Sequence, residues 1–190
     1  MSEPGGDAVN AEMIAALREF LDRVAPAAPD PETARALASD LRAWSRRLAP
    51  MAVSEHDPWL ARRRSQPGGD RLIVPPLYIT HDTPDEIRGK VTFGRAFLGA
   101  NGVTHGGMIP LLFDDVLGRI ANSCVPSRAR TAYIHVDYRS VARIDVELTL
   151  RAWLDRIEGR KRFIRGELRH GEVLCAECEG LFVELKPGMP

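Results

Sequence analysis

Apolar positions change their period along the chain. Met13, Leu17, Phe20, Leu21 and Val24 recur at helical spacing, and after the interruption from Pro26 to Pro31 a second stripe follows at Ala34, Leu37, Leu41, Trp44 and Leu48. The spacing predicts two amphipathic helices, the first preceded by a Gly/Pro/Asp-rich tail over residues 2–8 and the second ending before Pro50. A two-helix hairpin is marginal in water on its own, so these stripes call for an apolar surface to cover. From Ser54 to Gly69 the sequence is polar and turn-prone, with Pro58, Arg62-Arg63-Arg64 and Pro67-Gly68-Gly69. This is the composition of a linker with a solvated basic run. Residues 1–70 are therefore expected to form a helical N-terminal arm and linker, and residues 71–190 the main domain.

Beyond residue 70 the period falls to two. It predicts strands over Leu72–Thr80 and Glu86–Phe93, separated by Asp82-Thr83-Pro84-Asp85. Gly94–Thr104, holding Gly99 and Asn101-Gly102, is expected to be a loop. His105-Gly106-Gly107 then opens a largely apolar helix that runs to about Ala121 or Asn122. After Pro126 come four strands with apolar sides Ala132/Ile134/Val136/Tyr138, Val146/Leu148/Leu150/Ala152/Leu154, Ile164/Gly166/Leu168 and Ala176/Cys178/Gly180/Phe182. Turns at Glu158-Gly159 and His170-Gly171 make them successive hairpins. The order β-β-α-β-β-β-β predicts an α+β fold in which an antiparallel sheet buries one face against a single central helix.

Composition narrows the function classes. The chain has 190 residues, 26 Lys+Arg against 26 Asp+Glu and 44% apolar residues, enough for one core with an appendage. Zero net charge gives no overall attraction to nucleic acid or anionic membrane, so an anionic ligand needs a local patch. No apolar run approaches the roughly 18 residues of a membrane span. Three cysteines without framework spacing, and an N-terminus without a charged and apolar leader, point to the cytoplasm. Cys175-Ala-Glu-Cys178 falls inside a predicted strand and reads as structural. No Gly-x-Ser-x-Gly, P-loop or Gly-x-Gly-x-x-Gly is present, which weighs against a serine hydrolase, a nucleoside triphosphatase and a dinucleotide oxidoreductase.

The chemistry-bearing residues fall around the central helix. A loop ending in His105-Gly106-Gly107, Asp114 nine residues after His105, Gly118 four later and the strand Thr131-Ala-Tyr-Ile-His-Val-Asp-Tyr stand together. The combination resembles the hotdog-fold acyl-CoA thioesterase family over roughly residues 72–185, and within it the branch typified by the phenylacetate-pathway thioesterases. The resemblance implies a hotdog fold and hydrolysis of an acyl-CoA thioester without a cofactor. It also implies Asp114 as nucleophile or general base, and a Thr131 hydroxyl that orients the acid or the water. The assembly it implies is a homodimer, with a tetramer as the larger option, whose acid and glycine N–H come from different subunits. Two positions depart from the family pattern. Val141 stands where relatives usually carry Pro, and Gly99 lies near where many carry Asn or Gln, with Asn101 as a nearby substitute for substrate binding.

The same residues have a physical reading of their own. A helix N-terminus exposes N–H groups, and paired glycines let a ligand oxygen approach, so Gly106 or Gly107 could stabilise the oxyanion of a thioester under attack. Their alternative use is tight helix–sheet packing. His105 either contacts the thioester or caps the helix. Asp114 and Asp115 sit among apolar neighbours and differ by about 100° around the axis, so one acid is expected to be buried with a task while the other reaches solvent or an Arg. His105 and Asp114 lie about 13.5 Å apart along a regular helix and about 180° around it, so a single helix cannot bring both to one carbonyl, whereas antiparallel helices of two copies can. His135 and Asp137 fall on the polar side of their strand, and no ligand spacing among His105, Asp114, His135 and Asp137 supports a metal. The basic run through Arg156, Arg160, Lys161, Arg162, Arg165 and Arg169 is either a solvated hairpin or a source of cations for CoA phosphates, with Arg160, Lys161 and Arg162 the leading candidates. Two competing functions remain open: a non-catalytic acyl-CoA sensor or accessory protein, and a hydratase or dehydratase on the same fold.

Overall fold

The computed structural model describes residues 4–54, 56–57, 73–186 and 188, and divides the chain into two units, residues 1–66 and 67–190. In the first unit, helix α1 (Pro4–Val24) starts earlier than expected and absorbs most of the presumed tail. Proline costs nothing in a first turn, where its missing N–H has no helical partner. Helix α2 (Pro31–Leu48) is opened by Asp30, whose Oδ1 accepts the backbone N–H groups of Glu32 and Thr33 at 2.9 and 2.8 Å. A 3-10 turn over Ala49–Met51, formed at Pro50, closes it. Leu41, Trp44 and Leu48 of the second stripe are exposed in the single chain. The linker with its Arg62-Arg63-Arg64 run lies mostly outside the described residues.

The second unit contains strands β1 (Leu77–Asp82), β2 (Glu86–Thr92), β3 (Leu98–Ala100) and β4 (Val103–Thr104), helix α3 (Met108–Ser123), and strands β5 (Ala129–Tyr138), β6 (Glu147–Glu158), β7 (Lys161–His170) and β8 (Val173–Glu184). Six strands form one antiparallel sheet in the order β1-β2-β6-β7-β8-β5, which leaves β5 at an edge. β1 begins later than its alternation suggested because Pro75-Pro76 cannot donate to a ladder. The segment expected as a loop over Gly94–Thr104 instead holds a short 3-10 turn and the separate β3–β4 hairpin. Asn101 and Gly102 make its turn with φ of 53° and 73°, a backbone that Asn and Gly tolerate.

Helix α3 lies on one face of the sheet. Its Leu112, Phe113, Leu117 and Ile120 are fully buried in a core shared with Leu148, Leu150, Ile164, Leu168 and Phe182. The glycines that allow this approach are on the strands. A Cβ at Gly166 would meet Phe113 at 2.8 Å, and one at Gly180 would meet Leu117 at 2.8 Å.

Strand β5 carries a bulge. Thr131 pairs with Phe182 but Tyr133 with Leu181, so Ala132 is an extra residue without a counterpart on β8. From Ile134 onward the alternation holds, with Ile134, Val136 and Tyr138 on the α3 face opposite Gly180, Cys178 and Ala176. Uninterrupted alternation would have put Ala132 on that face as well and Thr131 on the other. The bulge brings Thr131 to the α3 side instead.

Candidate active site

The turn into α3 is held by three hydrogen bonds. His105 Nδ1 accepts the Gly107 N–H at 3.1 Å, Met108 N–H donates to the His105 carbonyl at 2.9 Å, and the Tyr138 hydroxyl donates to the Gly106 carbonyl at 2.6 Å. His105 thus caps the turn, and of the two glycine N–H groups proposed for an oxyanion, that of Gly107 is already engaged.

Gly106 is exposed, its φ is not left-handed, and a Cβ there would meet nothing closer than the Tyr138 hydroxyl at 3.7 Å. Neither backbone strain nor crowding within the chain demands glycine at this position. The packing alternative for the glycine pair therefore fails at Gly106, while tight helix–sheet packing is carried by Gly166 and Gly180.

Asp114 departs from expectation. It is exposed in the single chain, whereas Asp115 is half-buried, so the acid that the resemblance singles out is not the more buried of the two. The apolar neighbours Leu112, Phe113, Val116 and Leu117 turn toward the sheet and leave Asp114 on the free side of the helix. Its Oδ1 accepts a hydrogen bond from Thr131 Oγ1 at 2.9 Å across the bulge. The other carboxylate oxygen is thereby oriented without being consumed.

The basic hairpin is largely occupied by structural work. Arg162 is 1% exposed, so its expected role at CoA phosphates is corrected by its burial. Its guanidinium donates to the carbonyls of Ala121 and Ser127 and to the Ser127 hydroxyl, and lies 3.6 Å from Glu184, closing the C-terminal end of α3. Arg156 pairs with Asp155 and Glu158, Arg165 with Asp155 and Glu179, and Arg169 with Glu167. Arg160 and Lys161 stay exposed at the β6–β7 turn, Arg160 donating to the Glu184 carbonyl at 3.1 Å.

A groove of about 340 Å³ opens on the opposite face of the sheet, where the lining includes His135, Asp137, Trp153, Arg165 and Glu179. It does not include Asp114, Thr131 or Gly106. Among the described residues no cluster of His, Cys, Asp and Glu is placed to hold a metal ion. The three cysteines are free thiols. Burial raises the Cys175 thiol, and burial with the Asp114 and Glu179 charges pushes that of Cys178 up to about 12, leaving both protonated and unreactive at neutral pH.

Residues 101–177 match the family model described as the thioesterase superfamily. The second unit has the hotdog fold of the thioesterase-superfamily structures it resembles. A bovine relative named acyl-coenzyme A thioesterase THEM4 is 29% identical over 114 residues, which cover 58% of this chain and 46% of the relative. The chain thus spans about half the length of that relative. The crystal structure of protein RHA08564, a thioesterase superfamily protein, is 27% identical with a TM-score of 0.78, over 97% of this chain and 94% of its own. Smu.793 from Streptococcus mutans UA159, solved bound to acetyl CoA, shares the fold at 14% identity and a TM-score of 0.54, over 57% of this chain and 88% of its own. None of these matches names the phenylacetate-pathway branch.

The sequence motif of this domain led to His105, Gly106, Asp114 and Thr131, but not to Tyr138 as a partner of Gly106. A signal was present. Tyr138 ends an otherwise apolar strand face, and a phenol there needs a partner for its polar tip.

Proposed function

We propose that the domain hydrolyses an acyl-CoA thioester to the free acid and CoA, with Asp114 of one chain acting on a carbonyl polarised by the Gly106 N–H of another. The observation that carries this reading is the Thr131–Asp114 hydrogen bond, which presents an exposed carboxylate in a fixed orientation. The Met108-to-His105 bond directs the Gly106 N–H away from the helix, where an oxyanion can accept from it. Within one chain the two groups are eight residues and about 12 Å apart along the helix, too far to share a substrate carbonyl. Edge strand β5 supports a two-fold assembly, because it presents unpaired backbone groups to a second copy.

Two routes fit this arrangement. Asp114 accepts a proton from a water whose oxygen attacks the thioester carbon, or its free oxygen attacks directly to give a mixed anhydride that water then hydrolyses. In both, the carbonyl oxygen becomes an oxyanion held by Gly106, and collapse expels CoA as the thiolate, which takes up the proton carried by Asp114 on the first route or the one released when water opens the anhydride on the second. Arg160 and Lys161 are the cations proposed for the CoA phosphates. The free thiols fit a cytoplasmic setting, and among the described residues no helix is long and apolar enough to cross a membrane.

The test is thiol release from a panel of acetyl-, hexanoyl-, lauroyl- and phenylacetyl-CoA, run on the parent protein and Asp114→Asn. Release that collapses in the variant is the expected result. Acyl-CoA binding without release in the parent would make the protein a non-catalytic binder.

A further inference from the structure

We propose that Tyr138 is a positioning residue for the oxyanion site, holding the Gly106–Gly107 peptide in the one orientation that keeps its carbonyl away from the substrate. The proposal rests on the reading of Gly106 as the oxyanion donor. In a trans peptide the C=O and the following N–H point in opposite directions, so the Gly106 carbonyl and the Gly107 N–H are two ends of one rigid plane. The Tyr138 hydroxyl binds the first end at 2.6 Å and His105 Nδ1 binds the second at 3.1 Å. The preceding plane is fixed separately, through the Met108 N–H on the His105 carbonyl.

The plane needs holding because it is flanked by glycines. Without Cβ atoms at Gly106 and Gly107, a peptide flip meets little steric resistance. A flip would turn the Gly106 carbonyl toward the region that its own N–H serves, setting a negative dipole where negative charge develops. Tyr138 reaches the carbonyl from the end of β5, a strand anchored along its length to β8, while the ring stands on the α3 side with Val136. Burial raises the Tyr138 hydroxyl above its ordinary value, so it remains a donor throughout the working pH range.

Exposure decides when this bond matters. Tyr138 is 53% exposed in the single chain, where water competes for both partners and the bond adds little to folding stability. Once an acyl-CoA covers the turn and excludes that water, the same bond strengthens. A residue with this profile affects the chemical step and leaves the melting temperature alone. A packing role for the ring would survive Tyr138→Phe unchanged, since the ring is retained.

The experiment has two readouts. Tyr138→Phe is expected to lower kcat about tenfold, the scale of one hydrogen bond, with KM within twofold and the melting temperature unchanged. In an Asp114→Asn background, acetyl-, hexanoyl- and phenylacetyl-CoA labelled with 13C at the thioester carbonyl are bound and their carbonyl stretch is recorded by isotope-edited infrared spectroscopy. The band should move down on binding when Tyr138 is present and recover most of that shift in Tyr138→Phe. The proposal is overturned if kcat stays within twofold of the parent or if the band is the same with and without the hydroxyl. A band that fails to move for any of the three thioesters even with Tyr138 present overturns the Gly106 reading itself.

Discussion

Replacing Arg162 by Met separates a structural cation from a substrate-binding one. The guanidinium is 1% exposed and supplies donors to the Ala121 and Ser127 carbonyls where α3 ends, so Met keeps the volume and removes the donors. An acceptor left buried without a partner costs about 1–3 kcal/mol. Glu184, with a side chain 34% exposed, is screened by water and adds little. Removing a buried charge also relieves its desolvation cost, which offsets part of the loss. The net expectation is about 3 kcal/mol. For a chain of this size that lowers the melting temperature by roughly 6–12 °C, at about 2–4 °C per kcal/mol. Thermal unfolding followed by circular dichroism measures the shift, and thiol-release kinetics well below the transition give KM. KM should be nearly unchanged. A melting temperature within 2 °C of the parent together with a severalfold rise in KM would refute this reasoning and return Arg162 to the phosphate site.

Asp114→Asn should lower kcat by at least about 10², while Asp115→Asn has a far smaller effect. Thr131→Val, which removes the donor to Asp114 but keeps a branched side chain, should cost about tenfold in kcat with little change in KM; an unchanged kcat would detach the hydroxyl from the mechanism. Mixed assemblies of Asp114→Asn chains with Gly106→Pro chains should recover activity that neither variant has alone, since one of their two centres keeps both intact parts; verified mixed dimers without activity would exclude sharing between subunits. A disulfide-exchange reagent at pH 8 should titrate Cys124 rapidly and Cys175 and Cys178 only after unfolding. Because the Cys178 thiol is raised, the unfolded thiol ionises first as pH climbs past about 8.5, so its contribution to stability is present below that pH and fades above it.

The elements of the domain were legible because each carries a dominant period, the α3 stripe and the alternation along β6, β7 and β8, which survives register shifts at Leu154/Arg156 and Leu168/Arg169. What could not be read depends on contacts between distant segments. Arg162 has the composition of a phosphate ligand, and only the packing of β7 against the end of α3 makes it a buried clasp. One of the two acids was expected to be buried with a task because their neighbours are apolar, yet those neighbours turn toward the sheet and leave Asp114 outside. Gly106 was singled out by its place before a helix. Its link to Tyr138 spans 32 residues and has no local trace. Thr131 was reached through the motif, while its alternation by itself pointed to the wrong face, since a bulge does not register in a count of twos.

That bulge makes β5 a strand with one slack link. Thr131 near its start bonds Asp114 and Tyr138 at its end bonds the Gly106 carbonyl, and under the proposed sharing between subunits these two contacts would serve different reaction centres. The six residues from Tyr133 to Tyr138 are rigidly counted against β8, so adding or losing one there would swing one of the two side chains to the wrong face. Ala132 stands outside the count. Its deletion would bring Thr131 opposite Phe182 directly beside Tyr133 opposite Leu181, with alternation intact and both hydroxyl-bearing residues in phase. Length variation in this strand has a single permissive address, and it lies next to the residue that touches the acid.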